Sequence, residues 1–525
     1  MVVSGSLFFR LHGQLAQLGG SVERIFVRRT IQKAVARSAG IALHTLLIVL
    51  FSTGCNSIFH QPAQSTQGFS LASLKGNYTY NLAGMIFGLP AGYNLYHETG
   101  AFVADGNGGL TGVDDFSAGA TATHNQFTGS YAISSDGTGT MTIILPGRQI
   151  QLAITLQSTT EVYLLEYDPY ATGTGGASAQ ALSAISGTLS GAFVFRFYTH
   201  VVGAASSAAV GQMMVSGTSI GGNEDVAQIG TTSSHPITGT LTQPDSNGRG
   251  ELSLTETDTG NTSNYVYYAI DSNTLNLIGI DTGVVGEGRS IAQDGTSFTD
   301  ASITSSFTFH LGGDTASSLG GINTVGMFTS DGNGNLTSGS LDSAVDGVTT
   351  NESFTGTYSV APSGRATMTV TPSGASSVSQ IAWMADSTQG FFLQEDQNSV
   401  EAGAMEVQQG GPFSASSLNG NYAFRMIGFG AMTPPTVGRI GVMSFGGNGT
   451  ITITDMFVNQ GGVQNQYSDV SGSYTVSPNG RVVTGQIQGV TVSMVLYLTS
   501  NQSAYFILAD SGAEIPGQSG LQVPQ

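Results

Sequence analysis

Four aromatic residues recur at an almost constant interval: Tyr78, Phe193, Phe307 and Tyr422, spaced 115, 114 and 115 residues apart. A period this regular means that one structural unit is present four times, and it constrains the fold before any other reading. Other landmarks keep the same period. Leu74, Leu189, Ile303 and Leu418 precede the aromatics by four residues. Asp168, Asp281, Asp396 and Asp510 close the last long apolar run of each unit, and Gln180, Gln293, Gln408 and Gln522 follow them by twelve. A Gly-Ser/Thr-Tyr motif appears at Gly129-Ser130-Tyr131, Gly356-Thr357-Tyr358 and Gly472-Ser473-Tyr474, whereas the second unit has Gly239-Thr240-Leu241. The units fall at 70–180, 181–293, 294–408 and 409–525.

The fourth unit shows the strand pattern best. Tyr422, Phe424 and Met426 alternate with smaller residues, as do Ile451, Ile453 and Phe457. About eight such strands fit one unit, joined by short turns. Asp105-Gly106-Asn107-Gly108, Asp331-Gly332-Asn333-Gly334, Asp136-Gly137 and Asn479-Gly480 carry residues that accept positive φ, which tight hairpin turns demand. With 74 glycines and 9% charged residues, the chain suits strands and uncharged polar faces rather than long helices. Disorder is disfavoured because apolar residues recur in register. A meander of eight antiparallel strands removes its edges by closing. The expected fold is therefore all-β: four tandem antiparallel meanders, each an eight-stranded up-and-down barrel. β-sandwiches and an eight-bladed propeller of half-units are the alternatives.

The start of each unit, as in Leu74-Lys75-Gly76-Asn77-Tyr78 and Leu418-Asn419-Gly420-Asn421-Tyr422, resembles the Gly-x-aromatic opening of lipocalin and avidin barrels, with Tyr or Phe where those families have Trp. The only Trp here is Trp383. The tandem arrangement also resembles the repeats of secreted lipoproteins from soil acidobacteria, a resemblance that implies no activity.

Residues 1–54 have the order of an export signal. Arg24, Arg28, Arg29, Lys33 and Arg37 precede the apolar run Ile41–Phe51, then Ser52-Thr53-Gly54. That run is short for a membrane span, which needs about 20 residues. Arg28-Arg29-Thr30-Ile31-Gln32-Lys33 loosely resembles a twin-arginine signal, but ordinary export is preferred. The basic region is long enough for translation to start near Val27. Cys55, the only cysteine, follows directly, so no intrachain disulfide exists. Its setting resembles the lipobox of bacterial lipoproteins, with Gly54 in place and Ser52 where Leu is usual. That resemblance implies acylation of Cys55, a membrane anchor and a cell-envelope address, with the outer membrane or cell surface favoured. Residues 55–69 are the lipidated cysteine and its tether.

After residue 54, nine Lys/Arg face thirty-three Asp/Glu. Such a surface repels nucleic-acid phosphates, and no nucleic-acid partner is expected.

No constellation rises to catalysis. The Asp105 loop lacks the ligands of an EF-hand, having Gly109, Leu110 and Phe116 where that loop needs oxygen, Gly and Glu, so a hairpin turn is expected. The repeated aspartates are read as strand-end turn formers. Glu166 with Asp168, and Glu395 with Asp396, are read as exposed strand-end residues rather than a glycosidase pair. His60, His97, His124, His200, His235 and His310 show no metal-ligand spacing. Arg249, Arg365 and Arg481 are read as exposed residues that cap the turn or pair with a surface acid. No metal, cofactor or catalytic residue is assigned; Cys55 is the one site residue. The expected function is an exported, lipid-anchored protein with a structural, adhesive, or protein- or glycan-binding role. A small apolar ligand held among Tyr78, Tyr80, Phe193, Phe195, Phe307, Phe309, Tyr422 and Phe424 is the alternative, and a carbohydrate-active enzyme the second. Short joins between units predict that each folds alone, from Pro412 in the case of the fourth.

Overall fold

Each unit closes on itself. In the computed structural model the strands form four separate eight-stranded antiparallel barrels in sequence order. The sandwich and propeller alternatives are thereby set aside. The structure describes residues 68–522, except 90–91, 120–121, 186–187, 202–205, 296, 316–320, 346–347, 396–397, 431–435, 486, 488–492 and 511–512. The export segment and Cys55 lie outside the described residues.

Barrel 1 runs from Lys75–Leu89 to Ala171–Ala179, barrel 2 from Gly191–Val201 to Val284–Ala292. Barrel 3 runs from Thr304–Thr315 to Ser399–Val407, barrel 4 from Asn419–Gly430 to Ala513–Leu521. The first strand pairs with the last in each, as Tyr78 with Ala179 and Tyr422 with Leu521. Among the described residues no sheet edge is left open.

The repeated aromatics point inward, and register explains how they fit. Tyr80, Phe195, Phe309 and Phe424 stand opposite Gly100, Gly211, Gly326 and Gly441 on the next strand. A Cβ on Gly211 would lie 2.5 Å from the Phe195 ring, so the ring lies across the space that glycine leaves. This accounts for part of the glycine content. Leu74, Leu189, Ile303 and Leu418 are at most 3% exposed and plug the entry end.

The Gly-Ser/Thr-Tyr motif closes that end. A short 3₁₀ turn precedes the first strand at Leu71–Ser73, Asp300–Ser302 and Ala415–Ser417. The hydroxyls of Tyr131, Tyr358 and Tyr474 donate to the carbonyls of Leu74, Ile303 and Leu418 at 2.7, 2.8 and 3.1 Å. The second unit lacks this tyrosine. There Gln243 takes over: its Oε1 accepts from the Leu189 N–H at 2.6 Å and its Nε2 donates to the Leu189 carbonyl at 3.3 Å.

The barrels belong to one contiguous unit from Ser65 onward. Beside the four barrel cores there are four apolar clusters between barrels. They join barrel 1 to 2, 2 to 3, 3 to 4, and 4 back to 1. The four barrels therefore form a closed ring, a head-to-tail arrangement that ends where it began.

Candidate functional site

Three residues that looked like surface decoration hold the ring. Arg365 of barrel 3 binds Asp225 of barrel 2 through Nε (2.8 Å) and Nη2 (2.7 Å). Arg249 binds Asp115 of barrel 1 at 2.8 and 3.0 Å, and Arg481 binds Asp342 of barrel 3 at 2.7 and 2.6 Å. Each aspartate takes a third donor from a buried aromatic of the next barrel: Tyr268, Trp383 or Tyr497 at 2.6, 2.8 and 2.8 Å. The expectation of exposed arginines is corrected. The turn places each arginine at the head of a strand that faces the neighbouring barrel. Its planar fork matches a carboxylate on both oxygens.

The repeated glutamines do a related task. Gln180 Nε2 donates to the carbonyls of Asn247 and Ala269 in the following barrel, Gln293 to Ser363 and Met384, and Gln408 to Asn479 and Leu498. Gln522 donates to the carbonyls of Asp136 and Leu156 of barrel 1, at 2.9 Å each.

Of the repeated aspartates, Asp168 forms a turn as expected, whereas the Asp281 side chain bonds back to the neighbouring strand. Asp168 accepts from the N–H groups of Tyr170 (2.8 Å) and Ala171 (3.2 Å), and Asp281 from Asn264 on both its backbone and side chain (2.8 Å). Asp396 and the side chains of Glu395 and Asp510 lie outside the described residues. Asp105 and Asp331 likewise accept from the N–H groups two and four residues on, in positive-φ glycine turns.

The core aromatics named for an apolar ligand are all 2% exposed or less. They stack on one another, as Phe307 on Phe328 with centroids 5.4 Å apart. They pack on one another in the barrel cores.

Chemistry gathers at the other barrel ends. In barrel 1, register sends Tyr80, Tyr96, Glu98, Asp114, Arg148 and Glu166 inward. Arg148 bridges Glu98 at 3.2 Å and Glu166 at 3.4 Å, with its guanidinium 4.7 Å from the Phe116 centroid. Tyr80 donates to Glu98 (3.2 Å) and Asp114 (3.0 Å), and Tyr96 donates to Glu166. Burial pushes the Glu166 carboxyl up to about 7 against the pull of Arg148, and it drives Asp114 well above the carboxylate range, with Glu98 adding to the rise. Glu166 and Asp168 are 2% and 5% exposed, which corrects the reading of both as exposed. Sequence reasoning missed Glu98, Asp114 and Arg148. The available signal was a charge inside an alternating strand at an inward position.

A second polar centre lies where the barrels converge. The outward position three residues after each core aromatic is Asn81, Arg196, His310 or Arg425. The His310 ring sits 4.4 Å from Tyr505 of barrel 4, and the Arg425 guanidinium lies 5.8 Å from the Tyr163 centroid of barrel 1. Desolvation, then Arg196 and Arg425, lower His310 to about 3. Arg196 also reaches Glu287 at 3.7 Å, which His97 of barrel 1 approaches at 3.9 Å. Basic residues are thus drawn inside: of the nine among the described residues, only Lys75 and Arg289 are exposed. Arg289 interacts with Glu161 of barrel 1 and Arg425 of barrel 4.

No protein-family model and no curated protein matches the chain. Among solved structures it is similar to intact Ap-TbpB, with N and C lobes, over 90% of this chain and 98% of that one. The identity is 8% and the TM-score 0.19, a likeness that carries no argument about fold, partner or address.

Proposed function

We propose that this chain is an exported, lipid-anchored cell-envelope protein whose four-barrel ring is a non-enzymatic binding platform for glycan or protein partners. The observation that carries the reading is a contrast within the repeat. Cores, clamps and clips recur from barrel to barrel, but the inward face near the open end does not. One register position, opposite the residue four after each core aromatic, holds Glu98, Ala209, Thr324 and Arg439 in turn. A common scaffold with four chemically different mouths suits recognition of more than one group. Barrel 1 is the best-built mouth. Arg148, 31% exposed on its side chain and held over the half-buried Phe116 ring, has guanidinium donors beyond those spent on Glu98 and Glu166. That pairing suits a hydroxyl-rich ring such as a sugar.

Binding of wild type and of Arg148→Ala to an array of envelope and plant glycans tests the reading. Saturable binding lost in the variant is expected; a wild type that binds neither glycans nor envelope proteins overturns it. Labelled palmitate checks the anchor: incorporation is expected in wild type and not in Cys55→Ala.

One observation favours an enzyme instead. Glu98 and Glu166 share an arginine, and Glu166 is raised to about 7, the range of a general acid. Their side chains are only 0% and 2% exposed, which leaves no surface for a glycosidic oxygen. Binding is therefore the preferred reading. Measurable turnover of a polysaccharide, abolished in Glu166→Gln, would reverse that preference.

A further inference from the structure

The geometry points to a divalent-metal site at the open end of barrel 2, formed by His235, Glu256 and Asp258 and completed by Glu224. Spacing along the chain hid it, because the residues come from three different segments. Register assembles them. Phe195 faces inward and stands opposite Gly211, Gly211 opposite Glu224, and Glu224 opposite His235. Glu256 stands opposite Ile237, two residues on from His235 and on the same face. Asp258 follows just beyond that strand's end.

One ligand atom each from His235, Glu256 and Asp258 lie within 4.8 Å of one another. His235 Nδ1 is 3.1 Å from both Asp258 oxygens and 3.9 Å from Glu256 Oε2. Tetrahedral zinc with bonds near 2.05 Å holds its ligand atoms about 3.4 Å apart, so the cluster needs only small adjustments. The supporting contacts are those of a metal site. His235 Nε2 lies 2.7 Å from Ser233 Oγ. With Nε2–H donating there, the Nδ1 lone pair faces the carboxylates. Thr259 and Asn261 both donate to Glu256 Oε2 and fix its plane.

Glu224 is the independent observation. It is 8% exposed, among the described residues no hydrogen bond reaches its carboxylate, and its strongest charge interactions are with Glu256 and His235. A buried carboxylate without a donor is costly. Placed beside two other acids and an imidazole, it has the environment a cation would satisfy. One imidazole and three carboxylates suit zinc or manganese rather than the softer ions that prefer thiolates. Asp258, 47% exposed on its side chain, leaves an entry path.

The test is calorimetric titration of Zn²⁺ into the chelator-stripped full chain, in a Cys55→Ser background so that no thiol competes. One zinc per chain is expected, with affinity lowered at least about tenfold in both His235→Ala and Glu224→Gln. Should Glu224→Gln fail to fold, Asp258→Asn on the rim must show the loss. Co²⁺ should give the visible bands of a four- or five-coordinate site, absent in His235→Ala. Absence of saturable binding, or binding equal in all variants, overturns the proposal. So does a Glu224→Gln protein that gains stability but keeps its zinc affinity, because Glu224 would then be only a source of repulsion.

Discussion

The three seams between consecutive barrels and the one that closes the ring are built differently. Each consecutive seam has an Arg–Asp clamp with a buried aromatic donor. At the closing seam, barrel 1 has Thr138 and Thr155 where the other barrels have arginine and aromatic. Phe457 occupies the register position of the clamp aspartate: it is reached from Arg425 through Ile440, as Asp225 is reached from Arg196 through Val210. Its ring packs edge-on against Tyr167, centroids 5.5 Å apart, beside Leu165 and Ile440. Asn459, fully buried, donates its side-chain N–H groups to the carbonyls of Glu166, Asp168 and Ala171 at 2.7–3.0 Å. All four seams carry an apolar cluster; three add a charged clamp, and the closing one adds the Asn459 amide and a Thr138 hydroxyl that donates to Asp455 at 3.4 Å. A charged clamp fixes angle and register between tethered neighbours; the last seam has to bring together units far apart in sequence.

Cutting the ring should have the largest effect. Residues 412–525 alone keep a complete barrel core, because that core lies wholly within the barrel. The fragment should melt cooperatively, yet it would expose Val495, Tyr497 and Ile507 at one seam and Ile440 and Phe457 at the other. Light scattering after size exclusion should find it self-associated. A monodisperse monomer as stable as the whole ring would mean that the seams contribute little.

Next in size is the contrast between single seam residues. Asp225→Ala strips Arg365 and the Trp383 indole of their shared acceptor in a seam where the aspartate side chain is 1% exposed. Breaking such a buried pair costs about 3–5 kcal/mol. Asn459→Ala at the closing seam leaves neutral carbonyls underpaired and should cost about 1–3 kcal/mol. Denaturant unfolding of both variants measures the difference, and equal losses would erase the distinction between the seams.

The sequence carried the barrels openly but the ring only in disguise. Period, alternation and glycine turns are local signals, and they sufficed for four closed meanders. The glutamine twelve residues past each aspartate was visible as a repeat. Its meaning was not, because its partners lie in the next unit, as Asn247 does for Gln180. The arginines Arg249, Arg365 and Arg481 are equally visible as a repeat. Their aspartates Asp115, Asp225 and Asp342 sit 134, 140 and 139 residues away on outward strand faces, where charge looks like solvent exposure. The barrel 1 cluster and the His235 group hid for the same reason. Their members lie on different strands, and only closure in barrel 1 and strand register in barrel 2 bring the inward ones together.

Acidity separates the seams further. Glu166 gives its backbone carbonyl to Asn459 and turns its carboxyl into barrel 1. Its folded value of about 7 lies above the ordinary 4.5, so the folded state holds the proton more tightly. Stability should therefore fall as pH rises from about 4.5 to about 7 and level off beyond, by up to ~3 kcal/mol from this group. Glu224 adds a slope of the same sign, so the readout is the part of the slope that Glu166→Gln removes. Amide exchange should speed up first around residues 166–171 and 459–462. The clamped seams should show no such change, because a guanidinium stays charged throughout that range. Uniform loosening of all four seams would count against a local effect.

The smallest expected difference is between the glutamine clips. Gln408 and Gln522 make the same two bonds, to a turn carbonyl and a strand-end carbonyl of the barrel they meet. Each bond adds about 0.5–1.5 kcal/mol. Gln408→Ala and Gln522→Ala should therefore lower stability alike, by about 1–2 kcal/mol, if the clip acts only through its own contacts. The two positions differ in one respect. Gln408 lies in the short join that already tethers barrels 3 and 4, whereas Gln522 follows the last strand, and the barrel it reaches is three units back. A clip on a tethered seam is remade at high effective concentration whenever it opens. Labels placed across each seam would report opening by energy transfer. Equal losses with equal closure would show that the ring is held by its packed faces. A larger loss of closure in Gln522→Ala would show that the closing seam depends on its clip because it lacks the charged clamp.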